Sequence, residues 1–300
     1  MGTRAPIWDE TIAQGAERRC VAVLLPASVP HGSFVAAAIH ATTDLTADAG
    51  VHLDVRHGHE GPPAPWWTAV LCHGGQWASW IREFDVAATR RVVMTDRVDL
   101  HGADDRLGAV VMVDWQWSQA AYLAGALAAH LTSVAGTEAE QGSARLGLLA
   151  GPPVPTQRRV ASAFAAGAHD GGHTGEISIA YATGFDDAAS STRLARTLIT
   201  TLGCAVVGHA ADSAGEEGCR LAREGAVATI GFLEPMGSHV AVVDSDVRGV
   251  VAHLLDALIH DLELPDVFPA GLASGYLDLA VRDPAFDSVL APHRASAVLM

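Results

Sequence analysis

The sequence predicts an α/β fold with two lobes, each a doubly wound parallel sheet, and a cleft between them. Short apolar runs rich in Val, Leu and Ile alternate with alanine-rich segments of helical length, which is typical of parallel sheets covered by helices. The 300 residues are 49% apolar, enough for two buried cores of moderate size. The alternation restarts after residues 111–125, so we expect the first crossover between the lobes there.

The first half of the chain contains five short apolar runs that are predicted strands. They span residues 21–25, 51–55, 68–72, 91–95 and 109–114. Predicted helices cover 34–49, with Ser33 as N-cap, and 76–88. The segment 57–65 is too short for a full helix and is predicted to be a loop. Residues 1–19 are predicted to form an N-terminal arm.

In the second half, each strand after residue 145 is followed by a turn and a helix. The predicted strands span 146–150, 177–181, 205–208, 227–232, 240–244 and 276–281. The predicted helices span 118–133, 157–167, 188–202, a segment ending at 224, and 247–261. This order places ligand groups at the carboxyl ends of the strands. The predicted lobes are 20–117 with 237–262, and 118–236 with 263–300.

The charge of the chain excludes several classes of partner. The formal net charge is −15, which argues against a nucleic-acid surface, because phosphate binding needs clustered basic residues. The same charge argues against docking on an anionic membrane. All 19 basic residues are arginine, so Schiff-base and P-loop mechanisms, which need lysine, are excluded.

The four cysteines show no CxxC spacing. Cys72, Cys204 and Cys20 lie in or beside apolar strands, which favours buried free thiols. No apolar run reaches the roughly 18–20 residues that a membrane helix needs. The N-terminus is polar and lacks the apolar core of a signal peptide, so we expect a cytoplasmic protein, or an extracytoplasmic one whose leader has been removed.

Five segments, in sequence order, resemble the basic membrane protein family, the purine-nucleoside-binding lipoproteins of ABC importers. They are HisGlySerPhe (31–34), AlaAlaTyrLeuAlaGly (120–125), residues 153–168, TyrAlaThrGlyPheAspAsp (181–187) and AlaAspSerAlaGly (211–215). The similarity covers residues 20–283. It implies a two-lobed type I periplasmic-binding-protein fold with an interlobe ligand site.

The resemblance also implies which residues hold a ligand. In that family two aromatic rings sandwich a purine, while carboxylates hold the ribose hydroxyls and the base edge. By position, Phe34 and Phe185 match the two rings, and Asp186 matches the acidic residue after the second ring. Stacking of this kind contributes about 1–3 kcal/mol per base.

Other ligand positions differ from the family pattern. His31 stands where the family has Asp, and Gln119 stands where it has Glu. Leu233 occupies the position of a ribose-binding Asp, and Glu234 lies one residue later. Asp212, in a turn after a strand, is a further candidate and could equally be a helix cap.

The tryptophans form a separate group of candidates. Trp117 follows a strand into the first crossover, where a ring can stack on a flat ligand or seal the lobes together. Four others are predicted to fill the space of a helix absent between the second and third strands, or to form a dimer surface. They are Trp66, Trp67, Trp77 and Trp80.

Three further patterns are interpreted as structural. HisGlyHisGlu (57–60) lacks a second ligand pair at zinc spacing, so a solvated loop is favoured. Cys72 and His73 would point to opposite faces of a strand, which disfavours a nucleophile pair. The run 244–246 holds two aspartates, which is weak evidence for calcium.

We therefore predict a non-catalytic protein that closes two lobes on a nucleoside-like or other flat polar ligand, with no cofactor and no metal. A cytoplasmic sensor or regulator is favoured, with a second copy of the chain or a regulatory protein as partner. One alternative is the substrate-binding component of an ABC importer. Another is an enzyme acting on a nucleoside or sugar, with His31, Asp96, Asp186 and Glu234 as acid–base groups.

Overall fold

The computed structural model describes residues 20–25, 36, 40, 42, 52–58, 67–83, 91–97, 110–135, 144–185, 187–233 and 236–300. The strands of this part form two six-stranded sheets. In spatial order the first sheet holds β11 (Val267–Ala270), β5 (Val110–Trp115), β4 (Arg91–Met94), β3 (Ala69–Cys72), β1 (Cys20–Leu25) and β2 (His52–His57). The second holds β12 (Leu277–Val281), β10 (Ala241–Ser245), β9 (Ala228–Phe232), β8 (Cys204–Ala210), β6 (Arg145–Ala150) and β7 (Ile177–Tyr181).

Helices cover both sheets, as the alternating pattern predicts. They are α1 (Ala78–Glu83), α2 (Trp117–Ala135), α3 (Pro155–Asp170), α4 (Ala188–Arg196), α5 (Glu216–Glu224), α6 (Val247–His260) and α7 (Ala285–Val298). A 3₁₀ turn, Gly75–Trp77, precedes α1, another, Asp212–Gly215, precedes α5, and a π-helical turn, Thr197–Thr201, follows α4. All strand pairs are parallel except β10 with β12. No helix in the described ranges is long and apolar enough to cross a membrane.

Two tryptophans fill the first lobe on the face that carries α1. Trp67 and Trp77 are each 2% exposed and belong to one apolar cluster with β1, β3 and β4. The indole N–H of Trp67 donates to Asp54 Oδ2 at 3.0 Å, and the Arg56 guanidinium lies 5.0 Å above the Trp67 ring. Of the two predicted alternatives, interior filling and a dimer surface, the burial of Trp67 and Trp77 supports interior filling. Trp66 and the side chain of Trp80 lie outside what the structure describes.

The second lobe is built around a close crossing of α2 and α3. A Cβ atom on Gly167 would lie 1.9 Å from the carbonyl oxygen of Tyr122, and one on Gly125 would lie 2.0 Å from that of Phe164. Only glycine permits this approach, so the two helices touch backbone to backbone. The Tyr122 hydroxyl donates to Asp170 Oδ2 at 2.6 Å across the same crossing.

The chain passes between the lobes after β5, after β10 and after β11. The predicted division placed residues 237–262 with the first lobe. That division is corrected for β10, which pairs with β9 and β12 in the second sheet. Its α6 part does pack on the first sheet, because Val250 and Leu254 are buried in the same cluster as Leu71.

Two late elements were missing from the prediction. The strand β11 pairs in parallel with β5, so part of the segment 263–300 belongs to the first sheet. Its run of four residues contains Pro269, which is tolerated on this edge strand but weakens the sequence signal. Helix α7 was also missed, and it contains Pro292. The predicted helix 34–49 lies largely outside the described residues.

Candidate functional site

The carboxyl edge of the first sheet carries a buried polar group directly after β3 and β4. His73 and Thr95 are both 0% exposed, and His73 Nδ1 lies 2.8 Å from Thr95 Oγ1. The backbone N–H of Gly74 donates to the same hydroxyl at 3.2 Å. The indole N–H of Trp115 donates to the Thr95 carbonyl at 2.7 Å. These bonds fix the loop ends of β3, β4 and β5 relative to one another.

Asp96 follows Thr95 and is an ionisable group of this edge whose pKa is shifted. The residue is half-buried. Burial raises the pKa of Asp96 to about 6, and a hydrogen bond from the Gly75 backbone opposes this rise. A carboxyl group with a pKa near neutrality, held at a strand end, can bind a hydrogen-bond donor or a cation.

The neighbouring thiol is not a nucleophile. Cys72 is buried as a free thiol, and burial raises its pKa far above the ordinary value, so the thiolate is not formed near neutral pH. Cys204 and Cys219 are also buried free thiols, and burial raises the pKa of Cys204 to about 11. The prediction of buried thiols is confirmed for Cys72 and Cys204. The side chain of Cys20 is not among those described.

The carboxyl edge of the second sheet presents an aromatic ring. Phe185, after β7, is 42% exposed. A Cβ atom on Gly151, after β6, would lie 2.4 Å from the ring carbon Cε1, so the ring rests on bare backbone. The backbone N–H of Ala214 donates to the Phe185 carbonyl at 3.1 Å, and Gly151 N–H donates to Gln157 Oε1 at 3.0 Å. The Ala214 bond links the turns after β7 and β8, and the Gln157 bond fixes the turn after β6 to α3.

Two aspartates complete this second edge. Asp187 is the N-cap of α4 and accepts a hydrogen bond from the Ser190 backbone at 2.9 Å. The Thr183 hydroxyl, followed by the Ser190 bond, lowers the pKa of Asp187. Asp212 opens the 3₁₀ turn before α5 with a φ of +51°, a left-handed conformation that Asp tolerates better than most residues. It is half-buried.

Two of the predicted ligand residues lie at the first crossover between the lobes. Trp117 stacks on Trp115 with ring centroids 5.1 Å apart and an interplanar angle of 16°. It is half-buried and packs against the cores of both lobes. Gln119 is 3% exposed, and its amide accepts from the Leu272 N–H at 2.8 Å and donates to the Val298 carbonyl at 3.0 Å.

The remaining predicted ligand residues fall outside the described residues, and their roles stay predictions. They are His31, Phe34, Asp186 and Glu234. Among the candidates that are described, Phe185 and Asp212 lie on neighbouring turns of the second edge, while Trp117 and Gln119 lie at the crossover. Sequence reasoning missed the His73–Thr95 pair and Gly151. Their only sequence signal is position, because His73 and Gly151 directly follow predicted strands and Thr95 is the last residue of one.

No metal centre is found within the described part of the chain, where no three His, Cys, Asp or Glu side chains are grouped suitably. The acidic run 244–246 is divided between two elements. Asp244 is exposed on β10 opposite Asp278 of β12, and Asp246 caps α6 by accepting from the Gly249 backbone at 2.7 Å. Of the sequence HisGlyHisGlu, only His57 and Gly58 are described.

Comparison with known proteins identifies the fold. Residues 100–239 match the family model for Bmp, described as ABC transporter substrate-binding protein PnrA-like. No curated protein matches the chain in sequence. A solute-binding protein of an ABC transporter system from Aeropyrum pernix K1 is 17% identical, with a TM-score of 0.71, over 87% of this chain and 76% of that chain.

Two further solved structures cover this chain more completely. An ABC transporter solute-binding protein from Conexibacter woesei DSM 14684 is 20% identical, with a TM-score of 0.67, over 93% of this chain and 95% of that chain. A transcriptional activator of the comK gene from Bacillus halodurans is 12% identical, with a TM-score of 0.69, over 93% and 96%. The chain therefore has a Bmp-like, two-lobed type I periplasmic-binding-protein fold, and the predicted resemblance is confirmed.

Proposed function

We propose that this chain is a substrate-binding protein of the ABC-importer type that closes its two lobes on a flat, polar small molecule such as a purine nucleoside. The observation that carries the proposal is the exposed ring of Phe185. It stands at a carboxyl edge, within the segment that matches the substrate-binding family model. A large aromatic side chain that rests on a glycine, with much of its surface exposed, is suited to stacking on a flat ligand.

The two edges would contribute different interactions. The second lobe offers the Phe185 ring, and the first offers the Asp96 carboxyl group beside the N–H of Gly75. A bound ligand stabilises the closed state only by its greater affinity for that state. Asp96 and the net charge of −15 favour a neutral or cationic ligand that donates hydrogen bonds, and disfavour phosphorylated ligands.

Isothermal titration with adenosine, guanosine, inosine and free purine bases tests the proposal. We expect saturable heat with at least one nucleoside, and much weaker heat with its 5′-monophosphate. The variant Phe185→Ala should lose most of the affinity, while Phe185→Trp should keep it. No heat from any nucleoside at near-millimolar concentration would contradict the nucleoside form of the proposal.

The same samples separate binding from catalysis. We expect nucleoside incubated with the protein to be recovered intact, because the described edges offer no activated nucleophile and Cys72 stays protonated. Chromatography of the mixture after prolonged incubation measures any free base. Release of base that is abolished in Asp96→Asn would favour the enzyme alternative instead.

A second candidate function is a ligand sensor that acts on a partner protein. The similarity in fold to the transcriptional activator from Bacillus halodurans favours it, because that protein uses the same scaffold outside transport. Genes for a membrane permease and an ATPase beside this gene would favour the importer. A ligand-dependent change in co-purifying protein partners would favour the sensor.

A further inference from the structure

We infer that Gln119 is a positioning residue of the hinge, which ties the third crossover to the second lobe and confines its bending to Gly271. This inference rests on the proposed closure of the lobes. It gives Gln119 a role different from ligand contact, although the residue occupies a position that the family resemblance assigns to the ligand-facing side.

The Gln119 amide makes two hydrogen bonds to main-chain groups. Its oxygen accepts from the Leu272 N–H at 2.8 Å, and its nitrogen donates to the Val298 carbonyl at 3.0 Å. The residue is 3% exposed, so its amide is shielded from water and satisfied by these two main-chain partners. A carboxylate could replace the first bond but not the second, because it has no hydrogen to donate.

Gln119 and its two partners can each be assigned to a lobe or to the crossover. Gln119 stands on α2, whose buried residues pack in the core of the second lobe together with Leu290 and Ala297 of α7. Val298 is the last residue of α7. Leu272 is in the crossover from β11 to β12 and packs against both cores. The Gln119 bond therefore fixes Leu272 to the second lobe.

On the other side of Gly271, the crossover is bonded to the first lobe. The backbone N–H of Gln116 donates to the Ala270 carbonyl at 2.9 Å, which extends the β5–β11 ladder of the first sheet by one residue. Ala270 thus belongs to the first lobe and Leu272 to the second. Gly271 is the single residue between them.

Gly271 is enclosed by the two glutamines. A Cβ atom there would lie 2.2 Å from Gln116 Oε1 and 2.6 Å from Gln119 Oε1. Its N–H donates to Ser274 Oγ at 2.9 Å. A residue without a side chain between two tied neighbours is where a change of backbone angles can be absorbed.

The test needs no ligand, so its outcome is separate from that of the nucleoside titrations. Gln119→Met keeps the side-chain length and removes both bonds, and Gln119→Glu keeps the acceptor alone. The matched control is Tyr122→Phe, on the next turn of α2, which removes the hydrogen bonds of that hydroxyl with Asp170 and Ser296 within the second lobe. Two readouts apply: amide hydrogen exchange at Leu272, and the interlobe distance distribution between spin labels at the exposed positions Ser79 and Ala189.

We expect Gln119→Met to raise the exchange rate of the Leu272 amide about tenfold and to broaden the interlobe distance distribution. Gln119→Glu, which keeps the Leu272 bond, should leave both readouts close to those of the unmodified protein, and Tyr122→Phe should leave them unchanged. If Gln119→Met fails to fold, Gln119→Ala, which also removes both bonds, takes its place. A Leu272 exchange rate and a distance distribution identical to those of the unmodified protein, in whichever of these two variants folds, would overturn the inference. A broadening equal in Tyr122→Phe would overturn it as well.

Discussion

The carboxyl edges of the two lobes share a strand order but differ in chemistry. In the first lobe the polar groups His73 and Thr95 are completely buried and bonded to each other. In the second lobe the prominent group is a ring, Phe185, with 42% of its surface exposed. The polar groups of the first edge are thus paired within the protein, while the second edge exposes apolar surface on which a flat ligand could stack.

The two lobes also fill their interiors in different ways. The first lobe fills its α1 face with large rings, Trp67 and Trp77. The second lobe brings two helices together by having no side chain at Gly125 and Gly167. Large side chains stabilise the first lobe, and the lack of side chains at the helix crossing stabilises the second. A large-to-small substitution should therefore damage the first lobe, and a small-to-large substitution should damage the second.

The largest effect is expected from Trp67→Ala. The ring is 2% exposed and its N–H donates to Asp54 Oδ2, which also accepts from Arg56, so the loss of the ring leaves a cavity and removes one of the hydrogen bonds to that oxygen. We expect the free energy of unfolding to fall by about 3–5 kcal/mol. Urea denaturation measures it, with Trp67→Phe as the control that retains much of the volume. A loss below about 1 kcal/mol in Trp67→Ala would show that the ring is not needed to fill this face.

The counterpart in the second lobe is Gly167→Ala, which adds one methyl group. That group would lie 1.9 Å from the Tyr122 carbonyl oxygen, a backbone atom, so α2 and α3 must separate. We expect a loss of about 1–3 kcal/mol by the same denaturation. Gly225→Ala is the matched control, because a Cβ atom there meets its nearest neighbours at an ordinary 3.5 Å. Equal stability of the two variants would contradict the close crossing.

The exposed ring should behave differently from the buried ones. Phe185→Ala is expected to weaken binding of the best nucleoside by about 1–3 kcal/mol, the range for one stacked ring. Because the ring is 42% exposed, the free energy of unfolding should change by less than about 0.5 kcal/mol. Titration calorimetry and denaturation separate the two quantities. A variant that lost stability and kept affinity would assign the ring to the core.

The smallest effect concerns the pH dependence of stability. The pKa of Asp96 is raised from 3.8 to about 6 in the folded chain, so folding favours the protonated carboxyl group. Its contribution to stability is complete below pH 3.8 and is lost as the pH rises through 6. Asp96→Asn should therefore flatten the decline in unfolding free energy between about pH 4 and pH 6.

Urea midpoints at about pH 4, 5, 6 and 7 measure this slope. The control is Asp266→Asn, at an exposed position before β11, which should leave the slope unchanged. If Asp96→Asn and the unmodified protein lose stability in parallel over this range, burial does not raise the pKa of Asp96.

The sequence predicted most of the fold because its strands are continuous apolar runs. The strand 177–181 was placed to the residue, and α2 to within two residues. The misses have physical causes: β11 is four residues long with a proline, and sheet membership of β10 depends on pairing with distant strands. Hydrophobic periodicity indicates which face of a strand or helix is buried, but it does not indicate which element packs beside it.

The candidate site was less predictable than the fold. The resemblance placed Phe185 at a strand end, where the structure has it exposed. It gave no indication that the Gln119 amide would be bonded to main-chain groups more than 150 positions away in the sequence. Nor did any motif single out Thr95, whose hydroxyl bonds two partners contributed by the neighbouring strand end. Such contacts are set by tertiary packing, not by local spacing.

The glycine crossing of α2 and α3 has a mechanical consequence. Domains can close by shear, in which packed helices slide over one another through many small side-chain adjustments, or by rotation about a few backbone bonds. Sliding requires side chains that can change rotamer at the contact. At Gly125 and Gly167 the surfaces in contact are peptide groups, which have no rotamers to change. We therefore expect the second lobe to move as one rigid body, with any rotation between the lobes taken up in the crossovers.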